Sequence, residues 1–101
     1  MLHHDNDLKA MILQNFRLLL QHKRTLTILV RQDLGDVLYR ALYQTTVEDI
    51  DSLHAMNNTY QPHFFAGASY GMLVAWVNND YKESPEQMLN LFYGCLQGYI
   101  P

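Results

Sequence analysis

The sequence predicts an all-α bundle of four to five helices, and three observations carry that prediction. Proline is confined to Pro62, Pro85 and Pro101. Apolar residues recur at helical intervals along most of the 101 residues, and strong helix-start signals stand at Thr59–Pro62 and Ser84–Gln87. Apolar spacing of three and four residues marks a helix with one face in a core. Such helices joined by short links make a bundle.

The first helix is marked by Leu8, Ile12, Phe16 and Leu19, with Met11 and Leu20 beside them. Asp5, Asn6 or Asp7 is expected to cap it, because a short side-chain oxygen accepts orphan backbone N–H groups. Its end is expected near Gln21-His22-Lys23-Arg24, where positive charge suits a helix C-terminus. A second stripe runs through Leu26, Leu29, Val30, Leu34, Val37, Leu38, Ala41 and Leu42, interrupted at Gly35 with Asp33 as a cap for the restart. It reads as a short helix followed by a longer one, with a strand over Thr25–Val30 as the alternative, since that stretch is rich in β-branched residues. The pattern weakens through Val47, Ile50 and Leu53, Thr45-Thr46 marks a candidate restart, and Asn57-Asn58-Thr59 is a break.

The next helix is capped by Asn58 or Thr59 and tolerates Pro62 in its first turn, where a missing N–H does no harm. Phe64, Phe65, Ala68, Met72, Ala75, Trp76 and Val77 make it apolar on nearly every side, so it must pack against more than one neighbour. In the last helix Ser84 is the cap, Pro85 the first helical residue and Gln87 the closing member of a capping box. Its apolar set is Met88, Leu89, Leu91, Phe92, Cys95, Leu96 and Tyr99.

Composition limits the function classes. The chain holds 49% hydrophobic and 17% charged residues, one domain's worth of ordinary globular sequence. Seven Lys and Arg against ten Asp and Glu give a net charge of -3. That balance argues against a dedicated nucleic-acid surface within these residues, which needs clustered basic charge. No apolar run approaches the roughly 20 residues that span a bilayer. The N-terminus lacks the pattern of a secretory signal, and the single cysteine fits a reducing compartment. A cytoplasmic protein without a membrane anchor is expected.

Catalytic and metal chemistry find little footing. His3 and His4 are adjacent and point apart on a helix, and His54 and His63 belong to different elements without paired ligands. Cys95 shares a helical face with Met88, Phe92 and Tyr99 and reads as a small core residue rather than a thiolate. Ser69 lacks a nucleophile elbow, Ser84 is spent as a cap, and no glycine-rich phosphate loop exists. No enzyme, cofactor or metal is expected.

Small residues are a better lead. Gly67, Gly71 and Ala75 fall at intervals of four on one helix, and Gly94 and Gly98 repeat that interval on the next. Each interior glycine costs about 1 kcal/mol against alanine. Close packing within the chain, a self-complementary dimer face, or room for a ligand each explains the stripe. Twelve aromatic residues, seven of them tyrosines, are the other lead, because buried tyrosine needs a hydroxyl partner and often lines an interface or a partly polar cavity.

The run Tyr60-Gln61-Pro62-His63-Phe64-Phe65-Ala66-Gly67-Ala68-Ser69-Tyr70-Gly71-Met72-Leu73-Val74-Ala75-Trp76-Val77, followed by Lys82-Glu83-Ser84-Pro85-Glu86-Gln87-Met88, resembles the end of a TetR/AcrR-type transcriptional regulator. Members of that family carry a helix with phenylalanine, glycines and tryptophan, then a polar turn and a Ser-Pro-Glu start to the final helix. The specific likeness covers about 30 residues, and Leu8 to Leu42 resembles the preceding ligand-domain helices more loosely. The resemblance implies a regulatory, effector-sensing and dimerisation domain, with the last two helices paired across a twofold axis into a four-helix bundle, and hence a homodimer. It implies that nucleic acid is bound only through an N-terminal helix-turn-helix, whose pattern does not occur in these residues. It implies a small-molecule effector, with Phe16, Tyr39, Tyr43, His63, Phe64 and Trp76 as pocket candidates by position and Asn15 as a further polar anchor. Gly67, Gly71, Ala75, Met88, Phe92, Cys95 and Tyr99 are the candidates for the dimer face. The competing expectation is a stand-alone dimeric helical adaptor without a ligand.

Overall fold

In a computed structural model the protein is described over residues 2–52 and 59–98, with side chains over 7–48 and 59–96. Five helices fill the described residues: α1 (Leu2–Gln21), α2 (Lys23–Arg31), α3 (Gly35–Ser52), α4 (Tyr60–Asn78) and α5 (Pro85–Gly98). The all-α reading holds, and Thr25–Val30 lies inside α2, not in a strand. Tyr99 and His54 lie outside the described residues, as do the side chains of His3 and His4.

Local chemistry sets the boundaries, in four places differently from expectation. Asp5 to Asp7 do not cap α1, because the helix already runs through them from Leu2. Asp33 ends α2 instead of starting α3. It takes a left-handed φ of 60° while its N–H donates to Val30 O (3.4 Å) and the Leu34 N–H donates to Leu29 O (2.9 Å). That paired arrangement satisfies carbonyls left over at a helix end. Thr45-Thr46 starts nothing: the Thr45 hydroxyl donates to Ala41 O at 3.0 Å and the helix continues. Such back-bonding lets a threonine sit inside a helix with its polar group satisfied.

The α4–α5 corner repeats the device seen at Asp33. Asp80 and Tyr81 have φ of 55° and 56°, with Asp80 N–H bonded to Val77 O and Tyr81 N–H to Trp76 O. Thr59 stands at the N-cap position of α4 in a helical conformation and makes no side-chain cap. Ser84 and Gln87 form the expected capping box: Ser84 N–H donates to Gln87 Oε1 at 2.8 Å, and Gln87 N–H to Ser84 Oγ at 3.1 Å.

The core joins all five helices. Phe16, Leu26, Leu38, Leu73, Trp76, Val77, Met88 and Phe92 form one buried cluster. Phe16 meets Trp76 edge-on at 5.6 Å between ring centroids and Phe92 at 6.5 Å, while Phe65 stacks on Phe92 at 6.4 Å. The Trp76 Nε1–H donates to Glu83 O at 2.9 Å, so the indole's polar edge is satisfied inside the core. Gly35 permits a close approach of α3 to α4, since a Cβ there would collide with the Tyr70 hydroxyl.

Candidate functional site: a cavity and an outward helical face

α4 packs against the other helices on several sides, and its side chains divide accordingly. Successive residues turn by about 100° around a helix. Ala66, Leu73 and Val77 therefore share the buried side. His63 and Tyr70 face α3, where Tyr43 stacks on His63 at 4.7 Å and Tyr39 meets Tyr70 edge-on at 5.9 Å. Phe65 and Trp76 face the rings of α5 and α1. What remains points outward: Phe64, Gly67, Gly71 and Ala75, all exposed.

α5 divides in the same way. Met88 and Phe92 enter the core. Glu86 and Tyr93 face α1, where Arg17 Nη2 pairs with Glu86 Oε2 at 3.0 Å and Lys9 Nζ lies 4.9 Å from the Tyr93 ring centroid. Hydrogen bonding from Arg17, then from the residue's own backbone, lowers the Glu86 pKa below its ordinary 4.5. Leu91 and Cys95 lie on the flank opposite α1, with Gly94 exposed beside them. Phe64 is 56% exposed and Leu91 50%, so large apolar groups accompany the small ones on these outward faces.

Of the residues expected at a dimer face, Gly67, Gly71, Ala75 and Cys95 are exposed, whereas Met88 and Phe92 are not available for one. They are the part of α5 that closes the subunit's own core, each 3% exposed. Cys95 correspondingly is not the core residue that its spacing from Met88 predicted. The seven-residue interval from Met88 leaves Cys95 on the exposed shoulder of the buried face.

A cavity of ≈190 Å³ lies where α1, α3 and α4 meet near the start of α2. It is lined by Ile12, Asn15, Phe16, Leu18 and Leu19 from α1, His22 from the α1–α2 joint, Leu42, Thr45 and Thr46 from α3, and Ser69 from α4. Phe16 and Asn15, two of the expected pocket residues, line it. Tyr39, Tyr43, His63, Phe64 and Trp76 do not: the two tyrosines are paired with α4 rings, His63 is one of those partners, Phe64 points outward and Trp76 is buried in the core. Thr45, Thr46 and Ser69 were missed. The available signal was small polar side chains beside apolar ones: Ser69 is the one serine of α4, and the threonine pair follows Leu42 by three and four residues.

Among the described residues, no three His, Cys, Asp or Glu side chains gather as metal ligands, and no helix is long and apolar enough to cross a membrane. Compared with known proteins, residues 6–98 match the family model described as a transcriptional regulator C-terminal region. No curated protein and no solved structure matches the chain.

Proposed function

The chain belongs to the family of TetR-type transcriptional regulator C-terminal regions, and on that premise we propose that it is the dimerising, effector-sensing part of such a regulator. One observation carries the dimer reading. Among the described residues, a Cβ added at Gly67, Gly71 or Gly94 would meet no atom within 4 Å apart from the backbone of its own helix. Each helix-interior glycine costs about 1 kcal/mol against alanine, and packing among the described residues does not require any of these three. A second copy laid across α4 and α5 gives them a reason, because a twofold contact sets each small residue against the same surface of its partner. Phe64 and Leu91 would lose their exposure in that contact.

The cavity is the proposed effector site. Its walls come from α1, α3 and α4, so an occupant that fits one relative placement of these helices better than another shifts the population toward it. α4 also carries the dimer face, so the same shift alters how two subunits sit together. DNA would be held by an N-terminal domain outside these 101 residues, and operator affinity would change with the spacing of its two copies. Such a regulator would act in the bacterial cytoplasm.

Sedimentation of the wild-type chain and of Gly71→Trp and Gly94→Trp tests the dimer. The wild type is expected at twice the subunit mass and the folded variants at the subunit mass. A monomeric wild type, or folded variants that remain dimeric, overturns the reading.

A further inference from the structure

The effector-site reading leaves open what the cavity takes, and its lining narrows the chemistry. We propose that it accommodates a small neutral molecule made of one ring, a central hydrogen-bonding group and a short apolar end, as in an aryl ester. The proposal rests on the cavity being the effector site and adds the ligand class.

Size comes first. An apolar cavity of about 150 Å³ accommodates benzene, and the main recess, at ≈190 Å³, has room for one ring and a small substituent. Phe16, Leu19 and Leu42 provide its apolar walls. Shape comes second. A smaller recess of ≈40 Å³, walled by Leu8, Met11, Phe65 and Phe92, adjoins the first. Ile12, Asn15, Thr46 and Ser69 line both recesses and form the waist between them. The smaller recess fits a methyl-sized group.

Polarity comes third. The waist brings one amide and two hydroxyls, from three different helices, to the middle of an otherwise largely apolar space. These groups both donate and accept hydrogen bonds, so they suit an ester, ketone, amide or alcohol at the ligand's centre. Among the described residues, no Lys, Arg, Asp or Glu side chain lines either recess. A carboxylate or ammonium drawn in would lose water without gaining a counter-charge, which costs far more than burying a neutral polar group. His22, the ionisable side chain among the described lining residues, is solvent-exposed.

Methyl benzoate, benzoate and toluene are the probes, titrated into the full chain and followed by saturation-transfer NMR and Trp76 fluorescence. Methyl benzoate is expected to bind at least about tenfold more tightly than benzoate. Thr46→Val and Ser69→Ala are each expected to weaken methyl benzoate about two- to tenfold and to leave toluene unchanged. Leu42→Trp, which fills the main recess, is expected to abolish binding of all three. Ser69→Leu replaces it if its helical circular dichroism is lost. Benzoate binding as tightly as the ester, still abolished by the filling variant, overturns the neutral ligand class while the cavity keeps its effector role. Equal losses of ester and toluene in the hydroxyl variants overturn the central polar group. Failure of every probe to bind, or binding indifferent to the filling variant, overturns the effector-site reading itself.

Discussion

Trp76 stands edge-on to Phe16 at an interplanar angle of 88°, and the same Phe16 ring forms part of the cavity wall. The chain's single tryptophan is thus one side chain removed from the proposed ligand. Phe16→Ala removes a ring that touches both Trp76 and Phe92 and leaves a hole continuous with the cavity. It is expected to destabilise the fold by about 3–5 kcal/mol, read from urea denaturation followed by Trp76 emission. A loss below about 1 kcal/mol would show that the core does not depend on this junction.

The exposed glycines give a prediction of opposite sign. Gly71→Ala adds one methyl in open space on α4 and is expected to stabilise the folded subunit by about 0.5–1 kcal/mol. Thermal unfolding at dilutions where the subunits separate is the measurement. A destabilised subunit would mean that the helix needs glycine there for an internal reason.

At the α2–α3 corner Asp33 holds a left-handed conformation that glycine adopts without steric penalty. Asp33→Gly should therefore raise stability by about 0.5–1 kcal/mol, the relief of strain exceeding the added freedom of the unfolded chain. Matched denaturant midpoints for the variant and wild type decide the matter. A lowered midpoint sinks the strain argument.

Acid should weaken the α1–α5 contact. The hydrogen bond from Arg17 lowers the Glu86 pKa from 4.5, so its stabilising contribution is complete above that value. It is lost as pH falls through the lower, folded-state value. The pair is exposed, and the effect is small. Glu86→Gln is expected to lose less stability than wild type between about pH 6 and about pH 3. Identical pH dependence in the two proteins would remove Glu86 from the acid response.

The Ser84–Gln87 cap could be read from sequence because both partners sit within one turn, and only local geometry decides their bonds. The short-helix, long-helix reading around Gly35 succeeded for a similar reason. Asp33 was misassigned because the same residue type serves a helix start by its side chain and a helix end by its backbone. Cys95 and Met88 share a face on paper, yet whether the shoulder of that face is covered depends on where α4 lies. The waist of Asn15, Thr46 and Ser69 was hidden for a deeper reason. These residues are 54 positions apart at the extremes, and no periodicity within one helix shows which polar side chains three helices will bring together.

The His22 N–H bonds back to Leu18 O and Leu19 O, and its carbonyl accepts from Leu26 N–H, so a single residue articulates α1 with α2. One turn beyond that joint, the Tyr81 hydroxyl lies 3.1 Å from Lys23 O and 2.9 Å from Thr27 Oγ1, tying α2 to the α4–α5 corner. Any swing of α2 about His22 must break that tie or carry the corner with it. The short second helix is thus a lever whose fulcrum lies on the cavity wall and whose load is the root of α5.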